Sequence, residues 1–139
     1  MSHRAPYLTH QEDARDEMDW NPEWSRRARG FSTYAALRQL GRDGVGELID
    51  RCCDHAHEIV MGIGKLDGAE VLWEPIINQG LVRFGERTDD VIAAVLRGGE
   101  AFFTGSTLDG QRVMRVSVCN WRTNERDVER AVDAVRKAL

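Results

Sequence analysis

The chain has 139 residues, of which 42% are hydrophobic and 30% are charged, as is typical of one globular domain of ordinary size. Its formal net charge of −4 argues against a nucleic-acid surface, which needs a basic stripe. There is no run of about 18 apolar residues, so no membrane-spanning helix is expected. The N-terminus also lacks the apolar core of a signal peptide, and a cytoplasmic location is the default expectation.

Residues 1–23 are polar and irregular, with Pro22 near their end. Their acidic residues form a cluster made of Glu12, Asp13, Asp16, Glu17 and Asp19. A segment without an apolar face cannot offset the entropy lost on ordering, so we predict a loop here.

Residues 24–66 are predicted to form a helical connection. A first helix is expected from Trp24 or Ser32 to Leu40, and Gly41 interrupts it. The second helix is the clearest in the sequence, because its apolar residues recur at the spacing of one helix face. These residues are Val45, Leu48, Ile49, Cys52, Ala56, Ile59, Val60 and Ile63. So long an amphipathic helix must pack against a sheet or a partner.

Residues 67–139 are predicted to form a small α+β domain, which begins with two strands and a helix. Alternation around Val71 and Trp73 indicates the first strand, and residues 80–84 indicate the second. Thr88 or Asp89 is expected to cap a short helix that ends at a pair of glycines.

A hairpin and a last helix complete the predicted domain. Residues 101–104 and 112–119 are expected to be the paired strands, with Asp109 and Gly110 in the turn. Thr123 or Asn124 is expected to cap the final helix. The predicted fold is therefore α+β: long N-terminal helices followed by a β-β-α-β-β-α two-layer domain.

Arg115 is the sharpest candidate for ligand binding. Because side chains alternate along a strand, Met114 and Val116 share one face, and Arg115 lies on the other beside Ser117 and Cys119. An arginine between small residues can hold a carboxylate with two parallel hydrogen bonds, as the orientation of an amino-acid α-carboxylate requires. The alternatives are an exposed strand arginine and an ion pair with a carboxylate of an upstream domain.

A second candidate is the basic cluster of Ser25, Arg26, Arg27 and Arg29. Such a cluster can bind phosphate. We favour the alternative, in which these arginines pair with the preceding acidic cluster or with an upstream domain.

No metal site and no catalytic residue are predicted. His55 and His57 are two residues apart and face different sides of the helix. Cys53 and His57 have the i, i+4 spacing of helical metal ligands, but no third ligand accompanies them. The three cysteines, Cys52, Cys53 and Cys119, are an odd number without a C-x-x-C motif, so we expect buried, unpaired thiols.

Three segments carry a family resemblance: DWNPEWSRRARGF at 19–31, LGRDGVGELIDRCCDHA at 40–56 and MRVSVCNWRT at 114–123. They resemble the group II pyridoxal-phosphate (PLP) decarboxylases, the family of aromatic-L-amino-acid and glutamate decarboxylases. The resemblance extends from Ala5 to Leu139. It implies the C-terminal portion of such an enzyme, with the small domain of a fold-type-I PLP enzyme.

For the intact enzyme, the resemblance implies a homodimer that binds PLP and removes the α-carboxyl group of an amino-acid substrate. An upstream domain would hold the cofactor. The chain has only two lysines, Lys65 and Lys137, and neither has the Asn-Pro-His-Lys setting of the family's Schiff-base lysine. We therefore expect that the chain alone binds no PLP, and we assign no cofactor-binding residue.

The resemblance also assigns roles to individual segments. Residues 1–23 correspond to the loop that covers the active site, and the Ser-Arg-Arg sequence at 25–27 to the hinge that follows it. Arg115 matches an arginine found close to the substrate carboxylate in glutamate-type enzymes. The loop supplies a catalytic tyrosine in several members, but here Tyr7 is the tyrosine available and none stands just before Trp20. Some relatives with altered loops oxidise or deaminate their substrates instead.

Two other interpretations are open. One is a stand-alone dimerisation or interaction module, for which the long helix and the tryptophans would provide apolar surface. The tryptophans are Trp20, Trp24, Trp73 and Trp121. The other is a misassigned or decayed reading frame in which Met1 is an internal methionine of a longer gene, because Met1 falls inside a family-like segment.

Overall fold

The computed structural model describes residues 27–72 and 74–139. Its elements are, in chain order, α1 (Arg29–Gly64), β1 (Glu70–Val71), β2 (Gln79–Arg83), α2 (Thr88–Gly98), β3 (Thr104–Leu108), β4 (Gln111–Ser117) and α3 (Glu125–Ala138). This order confirms the predicted α+β fold. The loop predicted at 1–23, including Tyr7, and the strand residue Trp73 lie outside the described residues.

The chain divides into two compact units, Met1–Leu40 and Gly41–Leu139. The division falls within α1 at Gly41, which has φ 66° and ψ −171°. This backbone conformation is not helical and is accessible almost only to glycine. The predicted interruption at Gly41 is thus confirmed, whereas the domain boundaries predicted after residues 23 and 66 stay predictions.

In the first unit, residues 29–40 form a short helical stretch in which every residue is exposed. Its large apolar side chains are Phe31, Tyr34, Leu37 and Leu40. Successive members of this row are three residues apart, so they are neighbours on the helix surface. A helix this short is marginal by itself in water, and packing of its apolar side chains is the usual source of stability.

In the second unit, residues 42–64 of α1 bury one face. The buried residues are Cys52, His55, Ala56, Ile59, Val60 and Ile63. Leu48 packs at the margin of this face. Ile49, which was predicted to belong to it, is 55% exposed, because one residue turns a helix by about 100°. Among the described residues, no helix combines the length and the hydropathy that crossing a bilayer requires.

The four strands form one antiparallel sheet in the order β1-β2-β4-β3. β3 and β4 form the predicted hairpin, although β3 begins at Thr104, where the predicted strand ended, and continues to Leu108. Its turn residues Asp109 and Gly110 have φ of 49° and 76°. Positive φ at both positions is typical of the two-residue turns that match the twist of paired strands.

Helices α1, α2 and α3 contribute to one hydrophobic core with the inward side chains of the sheet. The core includes Ala56, Ile59, Val60 and Ile63 of α1, Val82 and Phe84 on or next to β2, Val91 and Val95 of α2, Met114 and Val116 of β4, and Val128, Ala131 and Val135 of α3. The helices therefore cover one face of the sheet. We call the opposite face the outer face.

The two short helices begin in different ways. Asn124 caps α3 as predicted, and its side chain accepts hydrogen bonds from backbone amides of the first turn. At α2 the predicted cap is wrong, because Arg87 is the N-cap and no side chain caps the helix. The Thr88 hydroxyl instead accepts from the backbone amide of Phe84 at 3.0 Å and donates to the carbonyl of Gly85 at 2.8 Å.

Gly80 lies in β2 where a side chain has no room. An added methyl would lie 2.6 Å from Cγ2 of Val60 and 2.9 Å from Cγ of Pro75. We expect Gly80→Ala to lower the free energy of unfolding by about 1–3 kcal/mol. Gly46→Ala is the matched control: nothing lies within 4 Å of its methyl, and it should gain about 0.5–1 kcal/mol. Urea unfolding followed by circular dichroism measures both. A Gly80→Ala chain as stable as wild type would contradict this packing.

Candidate functional site

Arg115 lies in the middle of β4 and on the outer face of the sheet. Its neighbours along the strand, Met114 and Val116, are buried in the core, which confirms the predicted alternation. Arg115 is paired with Leu81 of β2 and with Thr104 of β3. Directly opposite residues of antiparallel strands share a face, so these three side chains form a row across the sheet.

The Arg115 side chain is held at one nitrogen, and the described residues leave the others available for binding. Its Nε donates a hydrogen bond to Oγ1 of Thr104 at 3.2 Å. Within residues 27–72 and 74–139, no carboxylate forms an ion pair with it, and its terminal nitrogens have no hydrogen-bond partner. A guanidinium held in this way keeps donors for a planar anion such as a carboxylate.

Arg115 lines a cavity of about 650 Å³. The lining residues are Glu74, Ile76, Ile77, Gln79, Gly80, Leu81, Ser106 and Arg115, and we call this cavity the Arg115 groove. Its volume is in the range of small-molecule sites, and its walls are largely aliphatic. Ile76 is 90% exposed and Ile77 is 55% exposed, so the groove opens to solvent along the segment before β2.

Glu74 is the acidic residue of the groove. Its carboxylate Oε1 lies 3.9 Å from Nδ1 of His57, and its side chain is 74% exposed. The sequence analysis did not select this residue. Its only sequence signal is its position directly before Pro75, where the predicted first strand ends.

An ion pair on the opposite side of β4 fixes this strand to α2. Arg112 Nη2 lies 2.8 Å from Oδ1 of Asp89, and its Nε lies 3.0 Å from Oδ2. Arg112 Nη1 also donates to the carbonyl of Ser106 at 3.1 Å, which links the pair to a residue of the groove. The hydrogen bonds from Arg112 hold the pKa of Asp89 below its ordinary value, and those to Asp89 raise the pKa of Arg112.

This ion pair predicts a dependence of stability on acid pH. Because the pKa of Asp89 is lowered in the folded state, its ion pair with Arg112 stabilises the fold at a pH above the pKa of this carboxyl group in the unfolded chain, about 4. This stabilisation is lost as the pH falls through the lower pKa of the folded state. We expect Arg112→Gln to flatten the fall in melting temperature between about pH 4 and pH 2. Arg97→Gln, at the end of α2, is the control. An unchanged slope in Arg112→Gln would contradict the assignment.

Comparison with known proteins shows which proteins the chain resembles in sequence and in fold. No family model matches the chain. It is 24% identical over 148 aligned residues to L-2,4-diaminobutyrate decarboxylase of Rhizobium meliloti strain 1021. This alignment covers 97% of the chain, which spans about 30% of the length of the relative.

Two solved structures share its fold. Tryptophan decarboxylase of Catharanthus roseus, in complex with L-tryptophan, superposes with a TM-score of 0.72 at 17% identity, over 86% of this chain and 28% of that one. The 4-hydroxyphenylacetaldehyde synthase of Rhodiola rosea superposes with a TM-score of 0.71 at 19% identity, over 91% and 29%. The chain is similar to the C-terminal portion of the group II PLP-dependent decarboxylases. The predicted resemblance is confirmed.

The basic cluster lies apart from Arg115 in the sequence and is described only in part. Arg27 and Arg29 are exposed in the first unit, while Ser25 and Arg26 lie outside the described residues. The favoured pairing with the acidic cluster stays a prediction, because that cluster also lies outside them.

The histidines and cysteines are not brought together as a metal site. Among residues 27–72 and 74–139, no group of three or more His, Cys, Asp or Glu side chains is placed to hold a metal ion. Cys52 is buried and Cys53 is half-buried, but Cys119 is exposed, so the expectation that it is buried was wrong. Cys119 lies beyond the end of β4, where it lines a small surface pocket with Leu48, Ile49 and Cys52 of α1.

His55 is a polar residue that the sequence analysis did not place in the core. It is 6% exposed, and its Nδ1 lies 3.5 Å from Oε2 of Glu58. Its Nε2 is buried without a partner among the described residues. Its position in the sequence indicates this burial, because His55 lies between the buried residues Cys52 and Ile59 at the spacing of one helix face.

Proposed function

We propose that the chain is the small-domain portion of a PLP-dependent amino-acid decarboxylase. The observation that carries the proposal is the extent of the similarity, which covers 97% of the chain but only 30% of the diaminobutyrate decarboxylase. The remaining part of such an enzyme, on the same polypeptide or on another, supplies the cofactor domain. The assembly is a homodimer in the cytoplasm that acts on an amino acid.

The described residues do not themselves fit PLP. An imine to the cofactor needs a lysine, and neither Lys65 nor Lys137 lines the Arg115 groove; both are exposed elsewhere in the second unit. PLP serves as an electron sink for carbanions, and that chemistry belongs to the cofactor domain in our proposal. In this proposal the chain itself carries out no reaction step.

Arg115 gives the chain a part in substrate binding. Its guanidinium orients the α-carboxylate, since it retains donors toward the groove and is held at Nε by Thr104. Ile76, Ile77 and Leu81 line the same groove and offer aliphatic contacts to the rest of the substrate. An arginine in this role binds and positions the substrate, and another group carries out the chemistry.

Binding to the chain itself tests Arg115. L-2-aminobutyrate should shift the amide NMR signals of Leu81 and Ser106 more than its amide, L-2-aminobutyramide, because only the acid has a carboxylate. We expect Arg115→Gln to weaken the binding of L-2-aminobutyrate about fivefold, as for an ion pair of about 1 kcal/mol. The control Arg126→Gln removes an exposed arginine of α3. If the wild type and Arg115→Gln bind L-2-aminobutyrate with equal affinity, Arg115 does not bind the carboxylate.

A second candidate function is self-association without catalysis. It is favoured by the exposed apolar row of residues 29–40, in which Phe31 is 74% exposed and Tyr34 is 61% exposed. Apolar side chains displayed in this way are typical of interaction surfaces. In this case the chain forms a stable oligomer of its own, and no PLP protein accompanies it.

One experiment on the source cells separates the two functions. An antibody against this chain isolates the native species, whose polypeptide masses and PLP content are then measured. We expect PLP, together with either a polypeptide about three times longer than this chain or a second polypeptide that binds the cofactor. The purified chain with added PLP should release no CO₂ from amino acids.

A band at the size of the chain without a PLP protein would contradict the decarboxylase proposal. Sedimentation of that species then tests the second candidate, which requires an oligomer. Release of CO₂ by the purified chain would show that no upstream lysine is needed.

A further inference from the structure

The Arg115 groove contains two side chains of opposite charge that are not paired with each other. Arg115 and Glu74 both line it, and no ion pair joins them. Arg115 binds only the hydroxyl of Thr104, and Glu74 approaches only the ring of His57, at 3.9 Å, among the described residues. Each of the two charged groups therefore retains the capacity to bind an opposite charge of a ligand.

Three of the other side chains that line the groove are aliphatic. Ile76, Ile77 and Leu81 line the same cavity as the two charged groups. Ile76 and Ile77 are well exposed, which is costly unless something covers them. The complement of this groove is a molecule with an anionic group, a short chain of methylenes and a cationic group.

We propose that the groove selects amino acids whose side chain ends in an ammonium group, and that Glu74 determines this specificity. This inference rests on the proposed function, in which Arg115 holds the α-carboxylate. The aliphatic part of the side chain lies against Ile76, Ile77 and Leu81, and the terminal ammonium pairs with Glu74. The α-amino group is then left for the cofactor domain.

The contact with His57 does not explain why an acidic residue, Glu74, lines the groove. At 3.9 Å it is a long contact, and the Glu74 side chain remains 74% exposed. An exposed pair of this kind contributes little to stability. The carboxylate therefore keeps lone pairs for a ligand ammonium, which is a donor of three hydrogen bonds.

The test compares matched ligands on the full chain by NMR titration. L-2,4-diaminobutyrate, L-ornithine and L-lysine carry the ammonium on two, three and four methylenes, and L-2-aminobutyrate, L-norvaline and L-norleucine are their counterparts without it. We expect at least one diamino acid to bind about two- to fivefold more tightly than its uncharged counterpart, the size of one exposed ion pair. Glu74→Gln should abolish this preference and leave the binding of L-norvaline unchanged. Glu129→Gln, an exposed acid of α3, is the control.

The outcomes separate this inference from the proposed function. If Arg115→Gln weakens all ligands but Glu74→Gln leaves the preference intact, the role of Arg115 stands and that of Glu74 is overturned. If neither variant changes binding, both fail. Absence of any preference for the diamino acids in the wild-type chain also overturns the inference, as does loss of the preference in Glu129→Gln.

Discussion

The alternation of side chains along β4 is the constraint on which the rest of the second unit depends. Met114 and Val116 are buried beneath the helices, and this burial turns Arg115 to the outer face. β4 also pairs with both β2 and β3, so it is the central partner of the sheet. A shift of one residue in its register would expose the core side chains and bury a guanidinium, at a cost of several kcal/mol. The core thereby fixes the direction of the candidate binding residue.

Packing against α1 shapes the groove from the other side. Gly80 has no side chain, and this lets Val60 of α1 and Pro75 approach the β2 backbone. Pro75 is buried at this contact and is followed by the exposed Ile76 and Ile77. The aliphatic wall of the groove therefore begins directly after the buried Pro75. Gly80 thus lies against the core residue Val60 and also lines the groove.

Features encoded by neighbouring residues could be predicted from the sequence. The helical stripe of α1, the alternation around Arg115, the turn at Asp109 and Gly110, and the cap at Asn124 are all local patterns. The sequence could not show that Glu74 shares a groove with Arg115, because forty-one positions separate them and only strand pairing brings their segments together.

Two errors have the same origin. Thr88 is a residue type that often caps helices, but it is buried and its hydroxyl forms hydrogen bonds with Phe84 and Gly85 of the preceding turn. Cys119 has the polarity of a core residue, but it follows the end of β4 and lies exposed at the edge of α1. In both cases tertiary packing outweighed the preference of the single residue. The resemblance to decarboxylases was found from longer sequence segments, so it did not depend on predicting the tertiary contacts of any one residue.

The β3–β4 hairpin has a consequence for the order of folding. Its paired residues are at most eleven positions apart, whereas those of β2 and β4 are more than thirty apart. Hairpins form in about 1–10 μs, and pairings distant in sequence are slower because they first close a long loop. The strand with Arg115 thus acquires its partner β3 early, and the groove is completed only when β2 docks. A ligand of the groove consequently recognises contacts that form after the hairpin, and its binding opposes their opening.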